Sequence, residues 1–365
     1  MAKTNSLQAI RKELNSRFLE RSELIDGMLT ALISGEPLIM IGAPGTAKSA
    51  ICQALCSSIQ GKFFPWMLTR FTVPEELFGP FSLKGLENDK YTRVTSGKLP
   101  EADVAFIDEV GKASSSISNT LLTILNEKVF YNDGQAQQVP LKVLFGASNE
   151  VPQSEELSAF YDRFVIRFFV EAVSEDASIR CLFEGFPTQN AMPTITPKEL
   201  ADLKKEAQSL SLPKDVVDIL VSIRHEVNNE GILVSDRKWV QAGRVIRAYS
   251  LLQGNSQVTP DDLDVLVHLL WSTPDQIGKV KRIVNKYANP LGEKMLQIVD
   301  AVRELDKELK AGRGDAVETF KKVKHASKEL EKLGDGSSNP KLSQAQAFIK
   351  GVQRYIAKTH LGLED

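Results

Sequence analysis

The stretch Leu38-Ile39-Met40-Ile41-Gly42-Ala43-Pro44-Gly45-Thr46-Ala47-Lys48-Ser49 joins an apolar run, a Gly/Pro-rich loop and a Lys-Ser pair. Leu38 to Ile41 reads as a buried strand, and the run from Ser49 to Ile59 as a helix. Strand, tight loop and helix N-terminus in that order make a phosphate cradle. The loop residues Gly42, Ala43, Pro44, Gly45, Thr46 and Ala47 would converge their backbone N–H groups on nucleotide phosphates. Lys48 would set its ammonium on the β- and γ-phosphates, and the Ser49 hydroxyl would hold Mg²⁺. The generic pattern G-x-x-x-x-G-K-[ST] has Gly where this chain has Ala47. Ala fits that position if it keeps negative φ. The alternative is an ordinary strand-to-helix turn with a surface lysine.

Sixty residues on, Asp103-Val104-Ala105-Phe106-Ile107-Asp108-Glu109 is an apolar run ending in two carboxylates. It reads as a buried parallel strand whose carboxyl end faces the ligand. Asp108 would bind Mg²⁺, directly or through water, and Glu109 would act as general base on the attacking water. A further buried strand, residues 141–147, ends at Ser148-Asn149. The Asn149 amide is placed to orient that water, although Asn at a strand end is commonly a turn former. Between these strands lie a helix over 114–128 and a hairpin over 129–140 turning at Asn132-Asp133-Gly134. After a second strand at 63–68, Pro and Gly residues over 70–80 punctuate a short helix, and behind it an insertion runs up to residues 95–100, a candidate moving part or partner contact.

Two arginines sit four apart in Tyr161-Asp162-Arg163-Phe164-Val165-Ile166-Arg167. One reading is local pairing with Asp162 or Glu155. The other is a finger supplied to a neighbouring subunit's γ-phosphate, with Arg163 preferred and Arg167 second. From Pro187 the pattern becomes all-helical. Thr196-Pro197-Lys198-Glu199 is a helix start with a capping box, and Thr259-Pro260-Asp261-Asp262 repeats it without the Glu. Arg237 falls in the first turn of a helix beginning at Ser235. A cation there opposes the helix dipole and points to a nearby anion; a solvated pairing with Asp236 is the plainer reading.

Residues 7–34 are helical by periodicity, a preface able to cover a base with Phe18 and Ile25 or simply to cap the sheet. Residues 276–365 carry 18 Lys or Arg against 12 Asp or Glu, a net charge of about +6. Apolar residues there recur every three or four positions, which predicts a helical bundle or coiled hairpin. Its basic faces suit solvent or an acidic partner.

The chain has 365 residues, 42% of them hydrophobic, and a net charge of −2, which suggests two or three domains with ample core. Nothing global argues for nucleic acid or a membrane surface. The N-terminal residues lack the apolar core of a signal peptide. Three cysteines argue against a disulfide framework and fit a cytoplasmic setting. Cys52 and Cys56, one helical turn apart, read as core.

With these motifs in order, the chain resembles an AAA+ ATPase, and more finely the MoxR family, RavA type. The resemblance covers roughly residues 5–275. It rests on GAPGTAKS (42–49), TRFTVPEELFGP (69–80), TSGKLPEADVAFIDEV (95–110), LLTILNEKVF (121–130), ASNEVP (147–152), FYDRFVIRF (160–168) and VSDRKW (234–239). It implies an α/β fold: an AAA+ αβα core with a parallel sheet over 1–185, a helical lid over 186–275, and a C-terminal helical extension over 276–365. Arg237 would be the lid's second sensor. The cofactors would be ATP and Mg²⁺, and six subunits would form a ring with ATP at the interfaces. Such proteins look like chaperone-type remodellers of protein complexes, often working with a von Willebrand A-domain partner. The RavA type carries a β-rich module in its C-terminal region, and 276–365 shows no strand-rich stretch. A nucleotide-regulated binding module and a DNA-directed motor are the competing readings.

Overall fold

The computed structural model describes residues 2–151, 155–184, 190–310, 313–333 and 340–360. Pro152 and Pro187 of the sequence reading, and the loop 334–339, lie outside them. The chain divides into two compact units, Met1–Val280 and Lys281–Asp365.

The first unit opens with α1 (Ala2–Arg17) and α2 (Ser22–Ser34), so the helical preface is two helices rather than one. Then follow β1 (Leu38–Ile41), α3 (Lys48–Ser57), β2 (Phe63–Met67), α4 (Pro74–Phe78) and α5 (Leu83–Leu86). Next come β3 (Val104–Asp108), α6 (Ser115–Glu127), the hairpin β4 (Val129–Asn132) and β5 (Gln135–Gln138), and β6 (Val143–Ser148). The αβα part closes with α7 (Glu155–Asp162), β7 (Ile166–Phe169) and α8 (Asp176–Glu184). The helices after it are α9 (Pro197–Ser209), α10 (Lys214–Asn229) and α11 (Asp236–Leu252), followed by a 3₁₀ run, Pro260–His268.

Five strands pair in parallel in the order β2-β3-β6-β1-β7. β1, β6 and the first four residues of β3 are buried throughout, because helices cover both faces. Pro65 is tolerated in β2 because that strand is an edge and pairs with β3 alone. The chain winds outward from β1 to β2 and later returns to β1's other side as β7, so the reversal point lies at β1. The carboxyl ends of β1, β3 and β6 therefore open on one crevice, where such sheets take ligands.

Local chemistry explains the element boundaries. Ser114 caps α6 by accepting the Ile117 N–H. Asp133 and Gly134, at φ 53° and 73°, make the two-residue turn between β4 and β5. Thr196 and Glu199 form the expected capping box of α9. At Thr259 the structure completes a capping box that the sequence reading lacked: Asp262 stands in for Glu and accepts the Thr259 N–H at 2.7 Å. Cys52 and Cys56 are free and buried under the sheet, and burial pushes the Cys56 thiol up to about 12.

The lid is clasped to the core. Gln8 donates to the Leu252 carbonyl at 2.7 Å and Tyr161 to the Ser272 carbonyl at 3.2 Å. In the second unit α13 (Pro290–Lys310), α14 (Ala316–Leu333) and α15 (Pro340–His360) close around Val302, Val323, Leu330, Ile349 and Ile356. α12 (Ile277–Ala288) crosses the division between the units. Among the described residues no helix is long and apolar enough to cross a membrane.

Candidate functional site

The loop after β1 is shaped by close approach. A Cβ on Gly42 would lie 2.1 Å from the Val170 carbonyl oxygen, so only Gly lets the loop leave β1 beside the end of β7. Gly45 takes φ 80°, and Ala47 takes φ 66° and ψ 18°. The expected negative φ at Ala47 is therefore not adopted. Ala47 holds the left-handed conformation that Gly would hold in the generic pattern, at a cost of roughly 1–2 kcal/mol. From there α3 starts, and its first turn exposes N–H groups to the crevice.

Lys48 is 6% exposed, and its ammonium lies inside the loop. It donates to the carbonyls of Gly42 at 2.7 Å and Ala43 at 2.8 Å, and more weakly to Thr46 Oγ1 and Asn149 Oδ1 at 3.4 and 3.5 Å. Burial pushes its pKa down, while Asp108 and Glu109 act to raise it. The Ser49 hydroxyl donates to Asp108 Oδ2 at 2.7 Å. Asn149 Nδ2 donates to Glu109 Oε1, and Lys112 reaches Glu109 Oε2 at 3.4 Å. Glu109 sits at φ 57°, which turns its carboxylate away from the strand direction and toward the crevice residues.

Five predicted residues thus meet at one place: Lys48, Ser49, Asp108, Glu109 and Asn149. Hydroxyl and carboxylate oxygens 2.7 Å apart suit a hard divalent cation that completes its shell with phosphate oxygens and water. Among the described residues there is no cluster of three or more His, Cys, Asp or Glu to hold a metal by protein ligands alone.

The arginines stand elsewhere. Arg163 precedes β7, whose first residue pairs with Leu38, the first residue of β1. It lines a cavity with residues 34–37, which precede β1, and with Arg237 from α11. This is the amino end of the sheet, separated from the phosphate loop by the length of β1, roughly 13 Å for four residues. Arg237 does not approach its own protomer's phosphate loop. The anion its position called for is Asp162, whose carboxylate it meets at 2.9 Å, while Asp236 pairs with Arg224 at 2.6 Å.

Asp162 gathers all three arginines, with Arg167 at 3.5 Å and Arg163 at 3.9 Å. Arg167 is 1% exposed, and donates to the carbonyls of Trp271 at 2.5 Å, Phe164 at 3.1 Å and Tyr161 at 3.4 Å. Its guanidinium is a bolt between core and lid and offers no surface to a neighbour. Arg163 is less engaged: its Nε is buried without a hydrogen-bond partner. Burial pushes its pKa down, the Arg237 charge adds to that, and Asp162 opposes it. Of the two fingers considered from sequence, only Arg163 is placed at an edge. Ile25 is fully buried and cannot cover a base.

The sequence reading did not find Lys128, Lys204, Arg244 and Glu36, which line the same cavity as Arg163 and Arg237. They are spread over some two hundred residues with no common spacing, so no local pattern marks them.

Residues 5–208 match a family described as the MoxR domain in the MoxR-vWA-beta-propeller ternary systems, and residues 215–284 match an AAA lid domain. An uncharacterized protein of Methanocaldococcus jannaschii is 37% identical over 330 residues, covering 90% of this chain and 85% of that one. A second from the same organism is 38% identical, covering 85% and 83%. Chaperone MoxR1 of Mycobacterium tuberculosis is 22% identical, covering 76% and 78%. A crystal structure of an inferred ATPase from Cytophaga hutchinsonii superposes with a TM-score of 0.62 at 16% identity, covering 78% of this chain and 94% of that one.

Proposed function

The chain belongs to the MoxR family of AAA+ ATPases, and from that premise we propose that it hydrolyses ATP with Mg²⁺ in a ring of identical subunits, using the energy to remodel a protein complex. One observation carries the reading. The phosphate loop, Asp108, Glu109 and Asn149 share one crevice, whereas Arg163 and Arg237 stand at the far end of the sheet. Lys112 is paired with Glu109, so among the described crevice residues of one protomer no cation other than Lys48 is left for the transition-state charge. An adjacent copy is the natural source of further cations.

In this reading the loop N–H groups and Lys48 hold the phosphates. Lys48 exchanges its bonds to the Gly42 and Ala43 carbonyls for phosphate oxygens. Ser49 and Asp108 would hold Mg²⁺, which would supply charge neutralisation at the phosphates. Glu109 takes a proton from the attacking water, and the Asn149 amide orients that water. Arg163 acts in trans, and Arg237 beside it serves the same neighbouring phosphate. Arg167 keeps core and lid together.

A remodelling role is supported by apolar side chains left in solvent around the insertion: Phe71 is 89% exposed and Leu83 78%. In this reading these side chains meet the protein being remodelled. The von Willebrand A-domain partner in the matched family's description is the first candidate for a co-worker.

The test mixes two inactive variants. Arg163→Ala keeps an intact loop, and Lys48→Ala keeps an intact finger. Together they should regain part of the ATPase activity that each lacks, because some mixed interfaces carry both functional halves. No recovery from variants that still assemble would remove the trans role.

A further inference from the structure

The cavity at the amino end of the sheet is more basic than an arginine finger requires. It encloses about 480 Å³ between the α2–β1 turn, the end of α6, α9 and α11. Five cations line it, Lys128, Arg163, Lys204, Arg237 and Arg244, against the single carboxylate of Glu36. That carboxylate is already engaged, accepting from Arg244 at 3.0 Å and from Gln241 at 2.9 Å. Arg237 is held by Asp162 at 2.9 Å. Neither Lys128 nor Lys204 has a carboxylate within ion-pair distance among the described residues, and the Arg163 Nε has no hydrogen-bond partner.

Lys128 is also held where charge is costly. Burial keeps the Lys128 ammonium below its ordinary range, the nearby Lys204 ammonium adds to this, and Glu36 opposes it. Lys128 is fixed in the left-handed conformation at the end of α6, φ 57°, a position that a β-carbon makes unfavourable. The Lys204 Nζ lies against Gly35, within 2.5 Å of where a Cβ would stand. Two like charges and a half-buried guanidinium converging on enclosed space are offset by an anion of two or more charges, which accepts charge-assisted hydrogen bonds from several donors at once.

We propose that this cavity is a second phosphate site, distinct from the phosphate loop, in which Lys128, Lys204 and Arg163 bind a tetrahedral oxyanion. Free inorganic phosphate and the phosphate of a nucleotide share that chemistry, and the site's place beside the Arg163–Arg237 pair suits a product phosphate leaving a neighbouring interface. The inference does not rest on the trans role of Arg163: failure of the mixing experiment leaves it standing.

The test uses the full chain carrying Lys48→Ala, which disables the phosphate loop. Calorimetric titration with inorganic phosphate at fixed low ionic strength should show one saturable site. Adding Lys128→Gln and Lys204→Gln should weaken it about a hundredfold or more, the loss expected for two charge-assisted hydrogen bonds. ADP and ATP titrated into the same Lys48→Ala protein identify the source. If phosphate binds as well as either nucleotide, the ligand is the free ion. If only the nucleotides bind, and lose affinity with the two lysines, the site takes an esterified phosphate. No binding of any of the three to the Lys48→Ala protein overturns the proposal, as does binding that survives loss of both lysines. In phosphate-free buffer the lysine variant should melt at or above its parent, since a repulsion has been removed. Melting below it would assign the lysines to the fold and sink the site.

Discussion

Arg167→Ala separates the two arginines that sequence could not. The guanidinium it removes is buried and donates to the carbonyls of Trp271, Phe164 and Tyr161, with its carbon end 4.3 Å from the centre of the Tyr161 ring. Each hydrogen bond to a charged group contributes about 1.5–3 kcal/mol, and the carbonyls left behind stay buried. Relief of the guanidinium's own desolvation, which burial imposes, offsets part of the sum. Breaking a buried charged network of this size costs roughly 3–5 kcal/mol. For a unit of this size that lowers the melting temperature by about 10 °C, taking 2–4 °C per kcal/mol. The assay is thermal unfolding followed by circular dichroism, beside ATPase activity measured well below the transition. Arg163→Ala should do the reverse: melt within about 2 °C of the parent and hydrolyse ATP very slowly. An Arg167→Ala protein with an unchanged melting temperature and no ATPase would refute the reasoning and return Arg167 to the interface.

Other consequences follow from single positions. Ala47→Gly should stabilise by about 0.5 kcal/mol, since relief of the left-handed strain exceeds the added chain entropy of Gly; a lower urea midpoint would contradict the strain. Glu109→Gln should retain ATP binding and lose about 10²–10⁴ in turnover, the contribution of a positioned general base; normal turnover would remove Glu109 from that role. Glu20 gives a pH signature. Burial works to raise its pKa, but the N–H groups of Glu175 and Ser174 outweigh it and hold the carboxyl at about 2. Its folded pKa is depressed, so its contribution is full above about 4.5 and is lost as pH falls toward 2. The stability gap between wild type and Glu20→Gln, read from urea midpoints, should close over that window; a constant gap would show that the carboxylate charge is not what ties Glu20 to Ser174.

How much was legible from the chain depended on whether a feature is local. The crevice residues were legible because a phosphate loop, a strand ending in Asp108-Glu109 and a strand ending at Asn149 are each written in consecutive residues. Parallel strands with both faces covered must be apolar throughout, so β3 and β6 announced themselves. Helix starts were legible for the same reason, since Ser114, Thr196 and Ser235 act on N–H groups three residues ahead.

Tertiary structure decided the rest. Arg163 and Arg167 are four residues apart in sequence, and no local rule in the sequence reading told them apart. Packing buried one against Trp271 and left the other at the edge. Ala47 reads from sequence as a position that fits with negative φ, but the folded loop, whose Gly42 passes close against Val170, holds it at φ 66°. The placement of Arg237 far from its own phosphate loop came from how α11 docks at the amino end of β1, through Glu36, Gln241 and Arg244. The basic cavity is the extreme case. Its charges come from the end of α6, from α9, from α11 and from the turn before β1, and only the folded chain brings them together. Sequence alone therefore determined the crevice residues and the sheet that carries them, because backbone hydrogen bonding and apolar periodicity act over a few residues. Which arginine faces out, and which cations share a cavity, was decided by the folded chain, because those outcomes depend on electrostatic and packing contacts between residues far apart in sequence.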